Sequence, residues 1–204
     1  GGCIDNTVNA GMDHNIQCVS ATVGDYDNDR DLDLYLACRT GASNLQNRYY
    51  DNQGDGTFQL VPNAAGAGGA VGSNITDAAG VADSTISLDY DVDGFLDLFV
   101  TNGLNLRPKY TPGGPNMLFR NLGNSNHWIE LELTATGTVR DPVGARVTAT
   151  TGTVSQLRVF GSGYHRWSQE PNRMHFGLGG TDTVDLKVEW PSGKTEDYPN
   201  VTGD

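Results

Sequence analysis

An Asp-rich stretch of ten residues occurs twice in this chain of 204 residues. Asp25–Leu34 reads DYDNDRDLDL, and Asp89–Leu98 reads DYDVDGFLDL sixty-four residues later. In both copies Asp occupies positions 1, 3, 5 and 9, and apolar side chains alternate with others from position 8 onward. Because this alternation has the period of a β-strand, each copy predicts an acidic loop that runs directly into a strand.

The repeat continues beyond the acidic loops. Four further pairs match at an offset of sixty-nine residues: Asn47 with Asn116, Tyr50 with Phe119, Asn52 with Asn121, and Gly54 with Gly123. The sequence therefore predicts two copies of one unit, at about residues 18–60 and 82–122, each built as strand, acidic loop, strand, variable loop, strand and Gly turn.

The carboxylate spacing in each loop suits a calcium ion. Side chains at positions 1, 3, 5 and 9, with the carbonyl of position 7, place five or more hard oxygens around one point, as Ca²⁺ prefers. The predicted ligands are Asp25, Asp27, Asp29, Asp33 and the Asp31 carbonyl in the first loop, and Asp89, Asp91, Asp93, Asp97 and the Phe95 carbonyl in the second. We expect two Ca²⁺ ions; solvated turns without a metal are the alternative.

The two loops differ at position 6, which is Arg30 in the first and Gly94 in the second. If this position needs a positive φ, Arg30 is strained by about 1 kcal/mol or more, so the second site is expected to be the better formed. An EF-hand is excluded because position 12 is Leu36 or Val100 rather than Glu, and because the flanking segments have strand periodicity.

Composition narrows the class of protein. The formal charge is −12 and the isoelectric point is about 4.5, without a basic cluster, which argues against binding to nucleic acid. Residues 1–122 contain fifteen Asp and no Glu, as expected if short carboxylates are needed in turns or on a metal. No apolar run is long enough for membrane insertion. The first residues lack Met and a signal-peptide pattern, so we expect a processed product or a fragment.

The C-terminal part has a different pattern. Apolar residues alternate with charged ones around Ile129 and again over 184–190, which predicts half-buried antiparallel strands. Segments 145–150 and 156–160 flank Thr151-Gly152 as a hairpin. The predicted fold class is all-β: two β-propeller-blade-like calcium repeats followed by a small antiparallel β-sandwich or barrel.

Both parts resemble known families. The acidic repeats resemble the FG-GAP/VCBS type, in which a calcium loop joins strands of a propeller blade. The C-terminal part resembles the ASPIC/UnbV family on five ordered motifs: NHW at 126–128, GARV at 144–147, GSGY at 161–164, HFGLG at 175–179 and WPSG at 190–193. We therefore predict a repeat region at 1–122 with an N-terminal arm, and an ASPIC/UnbV-like domain at 123–204.

The resemblance implies a secreted or cell-surface protein that binds calcium and acts in adhesion or matrix structure, with no catalytic residues. Its expected partners are other copies of itself or other surface and matrix proteins. A carbohydrate-binding module is an alternative, with Tyr110, Tyr164 and Trp167 as candidate sugar-stacking residues. A polysaccharide-acting enzyme is a further alternative, although the dense Asp clusters are better explained as metal ligands.

Three cysteines, Cys3, Cys18 and Cys38, leave one thiol over. Pairing of Cys18 with Cys38 across the first loop and pairing of Cys3 with Cys18 are both open. The segment Ile4–Met12 has no obvious partner in its own repeat, so it is a candidate arm for strand addition, oligomers or filaments. The alternative is that this segment folds back as the missing strand of the first unit, with Cys3 as its staple.

Overall fold

The computed structural model describes residues 2–12, 18–38, 46–68, 81–103, 115–135, 142–161, 164–165 and 168–204. Within these ranges the chain forms fifteen strands and one short 3-10 turn, Pro62–Gly66. Every strand pairing is antiparallel. The predicted all-β fold class is confirmed, and no sheet in the described ranges closes into a barrel.

The first acidic loop belongs to a sheet of four strands that are consecutive in the chain. These strands are β1 (Cys18–Gly24), β2 (Asp33–Cys38), β3 (Arg48–Asn52) and β4 (Phe58–Val61). The loop joins β1 to β2, and the pairing of these two strands begins at once with Gly24 opposite Asp33. The two ends of the loop are thereby held side by side.

The second acidic loop has the same place in a three-stranded sheet. Its strands are β5 (Val81–Leu88), β6 (Asp97–Gly103) and β7 (Met117–Phe119), in that order across the sheet. Leu88 lies opposite Asp97, as Gly24 lies opposite Asp33 in the first unit. The two loops therefore leave and enter their sheets at equivalent positions.

Eight strands form the C-terminal part: β8 (His127–Leu131), β9 (Arg146–Thr151), β10 (Val154–Val159), β11 (Tyr164–His165), β12 (Ser168–Gln169), β13 (Met174–Gly179), β14 (Thr183–Glu189) and β15 (Thr195–Thr202). They make a four-stranded sheet, β10-β9-β14-β15, and two pairs, β13-β8 and β11-β12. The predicted hairpin at Thr151-Gly152 is confirmed as β9 and β10.

Two hydrophobic clusters fill the described parts of the molecule. One joins the two repeat sheets and includes Tyr35, Ala37, Leu98 and Val100. The other lies in the C-terminal part, around Phe176. On β2 the inner face carries Tyr35 and Ala37 rather than the leucines of the acidic repeat, which are only half buried. The hydroxyl of Tyr35 donates to the Ala67 carbonyl, so the buried phenol is satisfied.

The structure resolves the cysteine pairing and the course of the N-terminal segment. Cys18 and Cys38, which are opposite each other in β1 and β2, form a disulfide, and Cys3 is a free, exposed thiol. The N-terminal segment forms a turn over 7–11 rather than an extended strand. Its Ala10 carbonyl accepts a hydrogen bond from the Phe58 amide at 2.9 Å, so the segment folds back onto the edge strand β4.

We expect removal of the disulfide to destabilise the first sheet. Closing a chain separation of 20 residues removes unfolded-state entropy, which corresponds to about 3 kcal/mol of unfolding free energy. The double variant Cys18→Ser/Cys38→Ser should lose this amount in urea denaturation followed by fluorescence. Cys3→Ser is the matched control and should be unchanged; an equal loss in both proteins would contradict the assignment.

Candidate metal centre

The carboxylate at position 1 organises the backbone of each acidic loop. Asp25 accepts hydrogen bonds from the amides of Asp29 and Arg30, both at 2.9 Å. In the second loop Asp89 accepts from the amides of Asp93 at 3.2 Å and Gly94 at 2.8 Å. The two loops thus have one hydrogen-bond pattern, as their common sequence predicts.

The carboxylate at position 9 fastens each loop to its own sheet. Asp33 accepts from the amides of Tyr26 and Asn52, and Asp97 accepts from the amides of Tyr90 and Asn121. The side-chain amides of both asparagines also bond to loop carbonyls, those of Leu32 and Leu96 respectively. Sequence analysis placed these asparagines in the repeat but missed their role. The available signal was that the two asparagines match each other in the repeat, at an offset of sixty-nine residues.

The backbone conformations of the two loops agree as well. Position 4 has a φ of 60° in both loops, although it is Asn28 in one and the β-branched Val92 in the other. Position 6 has a φ of 89° at Arg30 and 87° at Gly94. The requirement for a positive φ at position 6 is therefore real, and Arg30 adopts it despite the steric strain of a side chain there.

In each loop three carboxylates have oxygen atoms within 4.8 Å of one another. In the first loop they are Asp25, Asp27 and Asp29, and in the second they are Asp89, Asp91 and Asp97. Of the other predicted ligands, Asp33 bonds to backbone amides and the tyrosine Tyr49, and Asp93 pairs with an arginine. Coordination of a metal by any of these side chains, and by the carbonyls of Asp31 and Phe95, stays a prediction.

The electrostatics of the first loop show how unfavourable its negative charges are without a cation. Burial, together with the nearby charge of Asp29, raises the pKa of Asp25 to about 8. Burial also raises the pKa of Asp33 to about 7 and, with repulsion from Asp29, that of Asp31 to about 6. One buried carboxylate oxygen of Asp31 has no hydrogen-bond partner among the described residues. Such a set of hard, uncompensated oxygens fits a divalent cation such as Ca²⁺.

The second loop is less buried, and it has a cationic neighbour that sequence analysis did not identify. The Arg120 guanidinium lies 2.7 Å from an Asp91 oxygen through Nε and 3.1 Å from an Asp93 oxygen through Nη2. Burial still raises the pKa of Asp97. The negative charge of the second loop is thus partly neutralised by the protein itself.

Strand β13 of the C-terminal part joins the two loops. The Gly94 carbonyl accepts hydrogen bonds from Asn28 Nδ2 at 3.1 Å and from His175 Nε2 at 3.0 Å. The amides of Gly177 and Gly179 donate to the Asp25 carboxylate and the Asn28 carbonyl. Burial lowers the pKa of His175 to about 4, so its ring is neutral at pH 7.

The fold and site together define an all-β protein in which two equivalent acidic loops contact a C-terminal β domain. Residues 135–204 match the family model described as "ASPIC and UnbV", which identifies this part as a domain of that family and confirms the prediction for it.

The chain is also similar to cartilage acidic protein 1. It is 30% identical over 188 residues to the protein from Mus musculus, an alignment that covers 83% of this chain and 25% of the relative. The protein from Homo sapiens has the same identity and length of alignment, with 24% of the relative covered. The chain thus spans about a quarter of the length of the curated relatives it matches.

Two other sequence-based expectations concern the surface of the protein. The candidate sugar-stacking residues Tyr110 and Trp167, and the side chain of Tyr164, lie outside the described residues. Among the described residues, no helix has the length and apolar character to cross a membrane.

A glycine substitution tests the packing around the second loop. A Cβ at Gly94 would overlap with the Trp128 indole, whereas a Cβ at Gly193, which has nearly the same φ, would meet no atom within 4 Å. Both alanine variants should carry about 1 kcal/mol of backbone strain. Gly94→Ala should lose about 2 kcal/mol more in chemical denaturation because of the overlap. Equal losses would contradict the contact.

The raised pKa values predict the pH dependence of the metal-stripped protein. A carboxyl whose pKa is higher in the folded state stabilises the fold fully below its ordinary pKa, and this contribution is lost as pH rises through the folded value. For Asp25 and Asp33 these folded values are about 8 and about 7. We expect thermal unfolding of stripped protein at pH 8 to occur about 5 °C or more below that at pH 5.

If the loops bind calcium as the sequence predicts, saturating calcium should abolish or reverse this difference, because a metal binds carboxylates in their ionised form. A stripped protein that is more stable at pH 8 than at pH 5 would contradict the burial of these charges.

Proposed function

We propose that this chain is a calcium-binding structural or adhesive module of an extracellular protein, with one Ca²⁺ in each acidic loop. The observation that carries the proposal is that the acidic loop of each repeat brings together three carboxylates whose oxygens lie within 4.8 Å of one another, at positions 1, 3 and 5 in the first loop and 1, 3 and 9 in the second. A convergence of like charges is unfavourable unless a cation offsets it. Its duplication with the same backbone geometry favours a selected metal site over a solvated turn.

Two features support a location outside the cell. The disulfide between Cys18 and Cys38 suits an oxidising compartment, since such bonds are rare in the cytosol. The resemblance to FG-GAP/VCBS repeats, which is part of this proposal, implies secreted or surface proteins. Adhesive or structural contact with other chains is proposed on the same ground.

The loop carboxylates are assigned to binding rather than to catalysis. The position 1 and position 9 side chains accept two or more hydrogen bonds from backbone amides, as at Asp25 and Asp97. Groups held in this way are fixed in place and organise the loop. This arrangement suits ligands of a structural cation, and we propose no enzymatic reaction.

Calcium should therefore stabilise the fold. Because the unfolded chain cannot gather the ligands, 1 mM CaCl₂ should raise the unfolding temperature of EDTA-treated, desalted protein by about 10 °C or more. Differential scanning calorimetry measures this shift, and 1 mM MgCl₂ should produce a much smaller one.

Matched variants make the test specific. Asp27→Asn removes a charge from the first loop and should reduce the calcium shift, whereas Asp197→Asn, on the exposed surface of β15, should leave it intact. An unfolding temperature that is the same with and without calcium would refute the proposal.

A further inference from the structure

The two loops are equivalent in their backbone but not in the residue that lies beside their carboxylates. The backbone amides of Asn52 and Asn121 donate to the position 9 aspartates at 2.9 and 2.7 Å. Each asparagine therefore has the same place relative to its own loop. The residue before each asparagine is therefore at an equivalent position. It is Asp51 in the first repeat and Arg120 in the second.

Arg120 binds the carboxylates that a metal in the second loop would use. Its guanidinium contacts Asp91 and Asp93, at positions 3 and 5, at 2.7 and 3.1 Å. The arginine side chain is 53% exposed, so it can leave these carboxylates without disturbing the core. A divalent ion that enters this loop must compete with this positive charge for the two carboxylates.

Asp51 has the opposite effect on the first loop. Its carboxylate stands one residue before the asparagine that bonds to Asp33, at the position that Arg120 has in the second repeat. It thus adds to the field of the five loop aspartates and favours a cation among them. The equivalent positions, Asp51 and Arg120, therefore differ by two units of charge.

The first loop also contains an arginine, but this residue has another role. Arg30 donates through Nε to the Asp29 carbonyl, and its side chain lies beside Gly179 of β13. The first loop is also more shielded from water, since Asn28 is fully buried whereas its counterpart Val92 is 61% exposed. Charge interactions are stronger where less water surrounds them.

We propose that the two loops bind calcium with unequal strength, the first tightly and the second weakly, because Arg120 competes with the ion for Asp91 and Asp93 while Asp51 reinforces the first site. This inference rests on the proposed function and reverses the order of the two sites that Gly94 and Arg30 alone predict. The tightly bound first ion is then a permanent part of the folded structure. The second loop then responds to changes in free calcium and in ionic strength.

Isothermal titration of the stripped 204-residue chain with CaCl₂ tests this inference. Two classes of site are expected, with Asp27→Ala abolishing the tight class and Asp91→Ala the weak class. Arg120→Ala should strengthen the weak class about tenfold, which corresponds to about 1.4 kcal/mol, and leave the tight class unchanged. Arg120→Asp should strengthen it further, and Asp51→Ala should weaken the tight class.

A control variant and a salt series separate electrostatics from structure. Arg146→Ala removes an exposed arginine of β9 that faces Glu189 and should change neither class. Because Arg120 is exposed, its effect should shrink between 50 mM and 500 mM KCl. A purely structural role for Arg120 would give an effect independent of salt, and would overturn the inference.

The remaining outcomes distinguish this inference from the proposed function. If both loops bind calcium equally and Arg120→Ala alters neither affinity, the inference is wrong and the proposed function stands. It is equally wrong if Asp27→Ala abolishes the weaker class. If neither loop binds calcium, the proposed function is refuted and the inference falls with it.

Discussion

The architecture of this protein depends on a few aspartates that each serve two purposes. A carboxylate such as Asp25 or Asp97 accepts backbone amides from its own loop or a neighbouring strand, so it folds the loop by hydrogen bonds. The same arrangement collects like charges in a poorly hydrated place, where their repulsion is strong. The fold is therefore built around a charge that it does not itself fully compensate. Under the proposed function, its stability is linked to the cation that supplies the compensation.

The C-terminal domain completes this arrangement for the first loop. Gly177 has no side chain, and a Cβ there would overlap with the Asp25 carboxylate and with the backbone of Asn28. Its amide instead donates to Asp25 at 3.2 Å across the interface. The Asp25 carboxylate thus bonds both to amides of its own loop and to an amide of β13. The family-matched domain contacts the repeats through backbone groups that only a glycine lets come this close.

Local pattern predicted much of this structure. The period of two residues located the strands on both sides of each acidic loop, and the Asp spacing located the carboxylates that converge. It did not predict which face of β2 is inner, because the Tyr35 hydroxyl is satisfied inside the core by the carbonyl of Ala67, which is 32 residues away.

The local sequence pattern could not predict contacts between distant parts of the chain. The bond between Asp25 and Gly177 spans 152 residues, and that between Asn28 and Gly94 spans 66. The pairing of Arg120 with Asp91 and Asp93 was not predicted, because the arginine follows β7 whereas the two aspartates lie in the loop between β5 and β6. The asparagines Asn52 and Asn121 were visible as repeat matches, and only the structure shows what they hold.

The buried contact of Asn28 limits which of the two repeat units could be duplicated or exchanged. Its side chain reaches the Gly94 carbonyl, while Val92, the equivalent residue of the second repeat, points into solvent. The two units therefore differ at position 4, where the first supplies a side-chain donor that the second lacks. A chimaera with two copies of the second unit would keep every Asp spacing yet lack the Asn28 donor, and one with two copies of the first would place the Cβ of an arginine against Trp128. The order of the units along the chain is consequently part of the information that specifies the fold.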